Sequence, residues 1–90
     1  MAKTFTKDPE AILDYSVDWS KWLVSDDYLV HATFVPSPGL SVISSNVTET
    51  IATVWLSGGI AGQTYSVTCH ITTNGGRQDD RTFQILAKEM

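Results

Sequence analysis

Cysteine is nearly missing from this chain. With Cys69 alone, no disulfide can close within it, which fits a reducing compartment. Basic residues are scarce as well: six Lys and Arg, scattered along the chain, face ten Asp and Glu, for a net charge of −4. That balance gives no electrostatic footprint for nucleic acid or for an anionic membrane. No apolar run approaches the length needed to span a bilayer, and Met1-Ala2-Lys3-Thr4 opens no signal peptide, so the chain is expected in the cytoplasm when made. In that setting the sequon Asn46-Val47-Thr48 stays unmodified. Strands alternating with helical stretches are also missing, which excludes the α/β architectures.

What is there has globular character. The 42% hydrophobic and 18% charged content lies far from the composition of disordered chains, and 90 residues hold one core. The clearest periodicity runs over 64–73, where Tyr65, Val67, Cys69 and Ile71 alternate with Ser66, Thr68, His70 and Thr72. A period of two over eight residues, rich in β-branched and aromatic types, predicts a half-buried central strand. Tyr65 follows a bend supplied by Gly58, Gly59 and Gly62. A tyrosine just after a bend is where immunoglobulin-like sandwiches place a corner tyrosine, its ring inward and its hydroxyl on upstream backbone. Tyr65 and Gly62 are therefore the expected structural corner. Val67, Cys69 and Ile71 are the expected core, joined by Phe83 and Ile85 of the final strand.

The rest of the chain is read in order. Residues 1–9 are polar and end in Asp8-Pro9, the expected flexible N-terminal arm ahead of a single domain over 10–90. Leu13, Tyr15, Val17 and Trp19 alternate with Asp14, Ser16 and Asp18 as a first strand. The period then changes: Trp19, Trp22 and Leu23 fall at i, i+3 and i+4 behind Asp18, which predicts one short helical turn over 19–23. Tyr28 to Val35 is the next strand, stopped by Pro36-Ser37-Pro38-Gly39. Leu40–Ser44 follows as a short strand, Ser45 and Asn46 as a turn, and Val47–Leu56 as one strand or two broken near Thr50. Asn74-Gly75-Gly76 predicts a hairpin into a last strand over 77–88. The sum is an all-β sandwich of about seven antiparallel strands; a five- or six-stranded barrel is the competing architecture.

Chemistry finds little support. Cys69 and His70 are strand neighbours and point to opposite faces, so they neither chelate one ion nor form a nucleophile–base pair. His31 is the only other histidine, too few for a zinc set. The doublets Asp26-Asp27 and Asp79-Asp80 lack the ligand spacing of a calcium loop, and charges on a terminal strand have the plain use of discouraging edge pairing. Ser57-Gly58-Gly59 is not a nucleophile elbow. No cofactor, metal site or catalytic activity is expected. The aromatics say more: Trp19, Trp22 and Trp55 are many for a small sandwich, and aromatic residues are enriched at interface cores. Trp19, Trp22, Trp55, Tyr28 and the hairpin-tip Arg77 are the candidate interface residues, with plugging of the open core end as the plain alternative for the first two.

Several segments together carry a resemblance. They are Leu13-Asp14-Tyr15 with Asp18-Trp19 and Trp22-Leu23, then Gly39-Leu40, Trp55-Leu56-Ser57-Gly58-Gly59, Ala61-Gly62, Tyr65-x-Val67-Thr68, Ile71-Thr72-Thr73, Gly76-Arg77 and Arg81. In this order and spacing the chain, from about Asp8 to Lys88, resembles the small immunoglobulin-like virion proteins of tailed bacteriophages known as fibre–tail adaptor or neck–tail accessory proteins. Two positions depart from it. Ser25-Asp26-Asp27-Tyr28 stands where a Gly-Asp turn is usual, and Phe34 where a tryptophan is common. Val67 stands where antibody domains carry a disulfide cysteine. The resemblance implies a non-catalytic part, present in several copies, that links tail or connector to fibres or to an adjacent ring. Its implied partners are other virion proteins and its implied location is the tail or neck. A carbohydrate- or cell-surface-binding module, with Trp19, Trp22, Tyr28 or Trp55 stacking on sugars, is the alternative from another class; a hydrolase accessory domain is a third.

Overall fold

The computed structural model describes residues 4–89. Seven strands follow in chain order: β1 (Thr4–Lys7), β2 (Leu13–Asp18), β3 (Leu29–Pro36), β4 (Leu40–Val47), β5 (Ile51–Gly58), β6 (Thr64–Thr73) and β7 (Gln78–Ala87). They form two sheets, β1-β7-β6-β3 and β2-β5-β4. Two separate sheets, rather than one closed upon itself, make a sandwich and not a barrel. Every pairing is antiparallel except that of β1 with β7, which is parallel from Thr4 opposite Gln84 to Lys7 opposite Ala87.

The strand total matches the expectation by a different route. Thr4–Lys7, read from sequence within an arm, is an edge strand because Phe5 reaches inward to Tyr15 and Phe83, with ring centroids 5.1 and 5.6 Å away. Met1, Ala2 and Lys3 of that arm lie outside the described residues. The predicted turn at Ser45 and Asn46 is instead strand. A bulge between Val42 and Ser44 resets the register, so Ser45 and Asn46 pair with Val54 and Thr53. The reversal comes at Thr48, whose N–H donates to Ile51 O (2.8 Å) and whose hydroxyl oxygen accepts from Ile51 N (3.1 Å). Leu13, read as inward, is 38% exposed at the start of β2.

No helix occurs among the described residues. The feature expected at 19–23 is a single turn in which Trp22 and Leu23 N–H groups both donate to Trp19 O, at 3.0 and 3.1 Å. Asp18 Oδ1 accepts from Ser20 N at 2.8 Å, satisfying a donor that the short turn leaves free.

Strand β6 carries the interior of the four-stranded sheet. Tyr65, Val67, Cys69, Ile71 and Thr73 are buried in strict alternation, and Phe83, Ile85 and Ala87 of β7 stand beside them. Ala52, Val54 and Leu56 of β5 answer from the other sheet. Fully burying a side chain such as Val67 or Ile71 contributes about 1.5–3 kcal/mol, so this row supplies a large share of the stability of a domain this small. The core has two halves. One gathers around Tyr15, Leu56, Tyr65 and Phe83, the other around Trp19, Leu29, Cys69 and Ile71.

Candidate functional site

The first half of the core closes at the corner. The Tyr65 hydroxyl oxygen accepts the Ile60 N–H at 2.8 Å, a bond to upstream backbone. Gly62, at φ 89°, donates its N–H to Ala87 O at 2.8 Å, which holds the bend against the end of β7. Gly39 must be glycine: at φ 111° a Cβ there would come within 2.5 Å of the Tyr65 ring. Beside the corner, the fully buried Lys7 donates from Nζ to Gly58 O (2.8 Å) and to Asp8 O (2.9 Å). Burial pushes its ammonium below the ordinary value, against the opposing pull of Asp8. Lys7 thus ties β1 to the bend after β5. Its sequence setting, a polar run before Pro9, carried no sign of that.

The second half of the core closes on tryptophan. Trp19 is fully buried, with Trp22 edge-on against it at a centroid distance of 5.3 Å. Arg81 stacks over Trp19 and Arg77 over Trp22, each guanidinium carbon 4.2 Å from the ring centroid. Arg81 also donates from Nη1 to Asp18 O at 3.0 Å. Trp19 Nε1 is buried without a conventional acceptor, and the group beside it is the Cys69 thiol. Burial pushes that thiol up to about 11, so at neutral pH it is an un-ionised small hydrophobe.

Asp27 fastens the intervening loop to the β6–β7 hairpin. Its Oδ1 accepts from Gly75 N at 3.0 Å and Tyr28 N at 2.9 Å, while Tyr28 O accepts from Asn74 N at 2.9 Å. Bonds from the Thr73 hydroxyl and these N–H groups hold the Asp27 carboxyl below the usual carboxylate range. Asp26 sits at φ 66°, the left-handed conformation that a Gly-Asp turn would give to glycine. The Tyr28 ring, 37% exposed, stands at the rim of this clasp.

Of the interface candidates, then, Trp19, Trp22 and Arg77 come together in an intramolecular stack, and Tyr28 borders it. Trp55 is far from them in register: it lies on the outer face of β5, 40% exposed, opposite Asp14 on β2 and Ser44 on β4. Two residues near these tryptophans escaped sequence reading. Arg81 was legible as an edge charge, although its parity with Phe83 and Ile85 already aims it inward. Asp14 became Trp55's neighbour only through the β2–β5 register.

On the other outer face, His70 bonds through Nδ1 to Asp80 and through Nε2 to Gln78 Oε1, the latter at 2.9 Å. The bond to Asp80, then that to Gln78, raises the imidazole's affinity for its second proton. No group of three or more metal-ligating side chains converges among the described residues. An open cleft lined by Asp8, Pro9, Glu10, Ala61 and Glu89 offers no convergent donors for an anion.

Comparison with known proteins agrees with the sandwich fold and shows a family. Among curated proteins no sequence matches the chain. The solution structure of the PKD domain from KIAA 1837 protein is similar in fold, with a TM-score of 0.56 at 20% identity, over 98% of this chain and 80% of that one. Residues 7–86 match the family described as Podophage GP4 fiber-tail adaptor protein gp77. With nearly its whole length in that match, from Lys7 at the end of β1 to Leu86 in β7, the chain belongs to the podophage fibre–tail adaptor family.

Proposed function

We propose that the chain is a non-catalytic structural part of a podophage tail, set in several copies between the tail or connector and the fibres or the adjacent ring. The family match over residues 7–86 is the observation that carries this reading. The geometry supports it: the polar groups described above serve as clasps and caps, while the exposed aromatic and apolar side chains lie on sheet faces and loops, where a neighbouring protein can cover them. Virion proteins are the partners under this reading, the tail its location, and neither nucleic acid nor membrane is engaged. A small net negative charge suits docking against basic protein surfaces.

The test is particle assembly. Phage grown with the gene for this chain disrupted should yield particles deficient in fibres, and purified chain should sediment with them and restore fibre attachment. Fully fibred particles formed without the chain would overturn the adaptor role.

A further inference from the structure

The three tryptophans meet different electrostatic settings. Trp19 and Trp22 each already carry an arginine on the ring. Trp55 carries none among the described residues, and its indole is open to solvent in the middle of a sheet face. Register sets Asp14 directly opposite it, and directly opposed cross-strand side chains stand about 5 Å apart at Cβ on one face. The Asp14 carboxylate has no cationic partner among the described residues. Ser44 flanks Trp55 on the other side, and the hydroxyls of Ser16 and Thr53 share a 2.9 Å hydrogen bond two residues along on the same face. None of the three strands of this sheet contains a Lys or Arg.

We propose that Trp55 and Asp14 form a seat for an arginine side chain of a neighbouring tail protein. The guanidinium would lie on the indole face and donate to the Asp14 carboxylate, with the Ser44 hydroxyl as a further acceptor. Charge complementarity decides the occupant. A ring with an unpaired carboxylate beside it repels anions, and an apolar group seated there would strip water from that carboxylate without return. A cation satisfies both, and a planar, weakly hydrated one stacks better than an ammonium. The same contact is made twice inside this chain, where Arg77 and Arg81 cover Trp22 and Trp19. The identity of the donor as a tail protein rests on the adaptor reading; the chemistry of the seat does not.

Two measurements separate these. In solution, an Arg-Ser-Arg-Ser-Arg peptide is titrated into the whole chain while NMR follows the indole N–H signals, the Trp55 signal being the one lost in Trp55→Phe. The arginine peptide should move the Trp55 signal and leave that of Trp19 in place. The citrulline counterpart, equal in shape but uncharged, should act roughly fivefold more weakly, and Asp14→Asn should cut the response to arginine by a similar factor. Equal responses to both peptides, no response, a response to maltohexaose in place of arginine, or movement of the Trp55 signal on simple dilution would each overturn the seat, the last two in favour of a sugar or a second copy.

On particles lacking the chain, Asp14→Arg should lower attachment about tenfold relative to wild type. If wild type fails to attach, the adaptor reading falls while the peptide result stands. If wild type, Asp14→Arg and Trp55→Ala attach alike, the seat falls and the adaptor reading stands.

Discussion

The tryptophan end of the sandwich and the outer face around Trp55 use the same residue type in opposite ways. Trp19 follows β2 in phase with Tyr15 and Val17, so it enters the core, and a second tryptophan and two arginines close over it. Trp55 is out of phase with Ala52, Val54 and Leu56, so the same strand that builds the core presents it to solvent. One residue step in a strand therefore separates a buried, structural tryptophan from one that faces solvent. The difference also shows in what stands nearby: at the closed end Asp18, Arg77 and Arg81 are each engaged within the chain, whereas Asp14 beside Trp55 has no cationic partner among the described residues.

Substitutions can break or sharpen that contrast. Trp19→Ala should have the largest effect, a loss of about 3–5 kcal/mol in urea unfolding, since it opens a cavity and strips Arg81 and Trp22 of their contact. Arg81→Ala removes the cover from Trp19 and a bond to Asp18 O, and should cost about 1–2 kcal/mol by the same measurement. Asp26→Gly should raise stability by up to about 1 kcal/mol, by relieving the left-handed conformation in the loop that carries the stack.

The smallest effect belongs to the polar face opposite Trp55. The folded-state pKa of His70 is raised above its ordinary value of 6.5, so the imidazolium pair with Asp80 contributes stability that is full below that value and fades as pH climbs through the raised one. Wild type should therefore exceed His70→Gln in stability at about pH 5.5, and the margin should close by about pH 8.5. A margin that grew with pH would contradict the pairing.

Much of this was legible in the chain. The alternation at Tyr65, Val67, Cys69 and Ile71 depends only on backbone geometry, and the clash of a Cβ at Gly39 with the Tyr65 ring shows how tightly the corner is set. The single turn after Asp18 followed from the change of period and the capping carboxylate. What stayed hidden depended on contacts distant in sequence. β1 forms because Phe5 and Lys7 find partners around Tyr15, Phe83 and Gly58, and a parallel pairing with the last strand leaves no local signal. The β4–β5 turn moved because one bulged residue shifted the register, which periodicity cannot show. The same holds for the candidate site. Trp55 stood out as an aromatic, but the carboxylate that gives it a chemical preference came from β2, through a register that only the folded sheet sets.

Urea unfolding of Trp55→Ala, run beside wild type, tests the division of roles most directly. With its indole outside the core, the variant should unfold within about 0.5 kcal/mol of wild type. A loss approaching that of Trp19→Ala would mean that Trp55 holds the fold together and is not reserved for a partner.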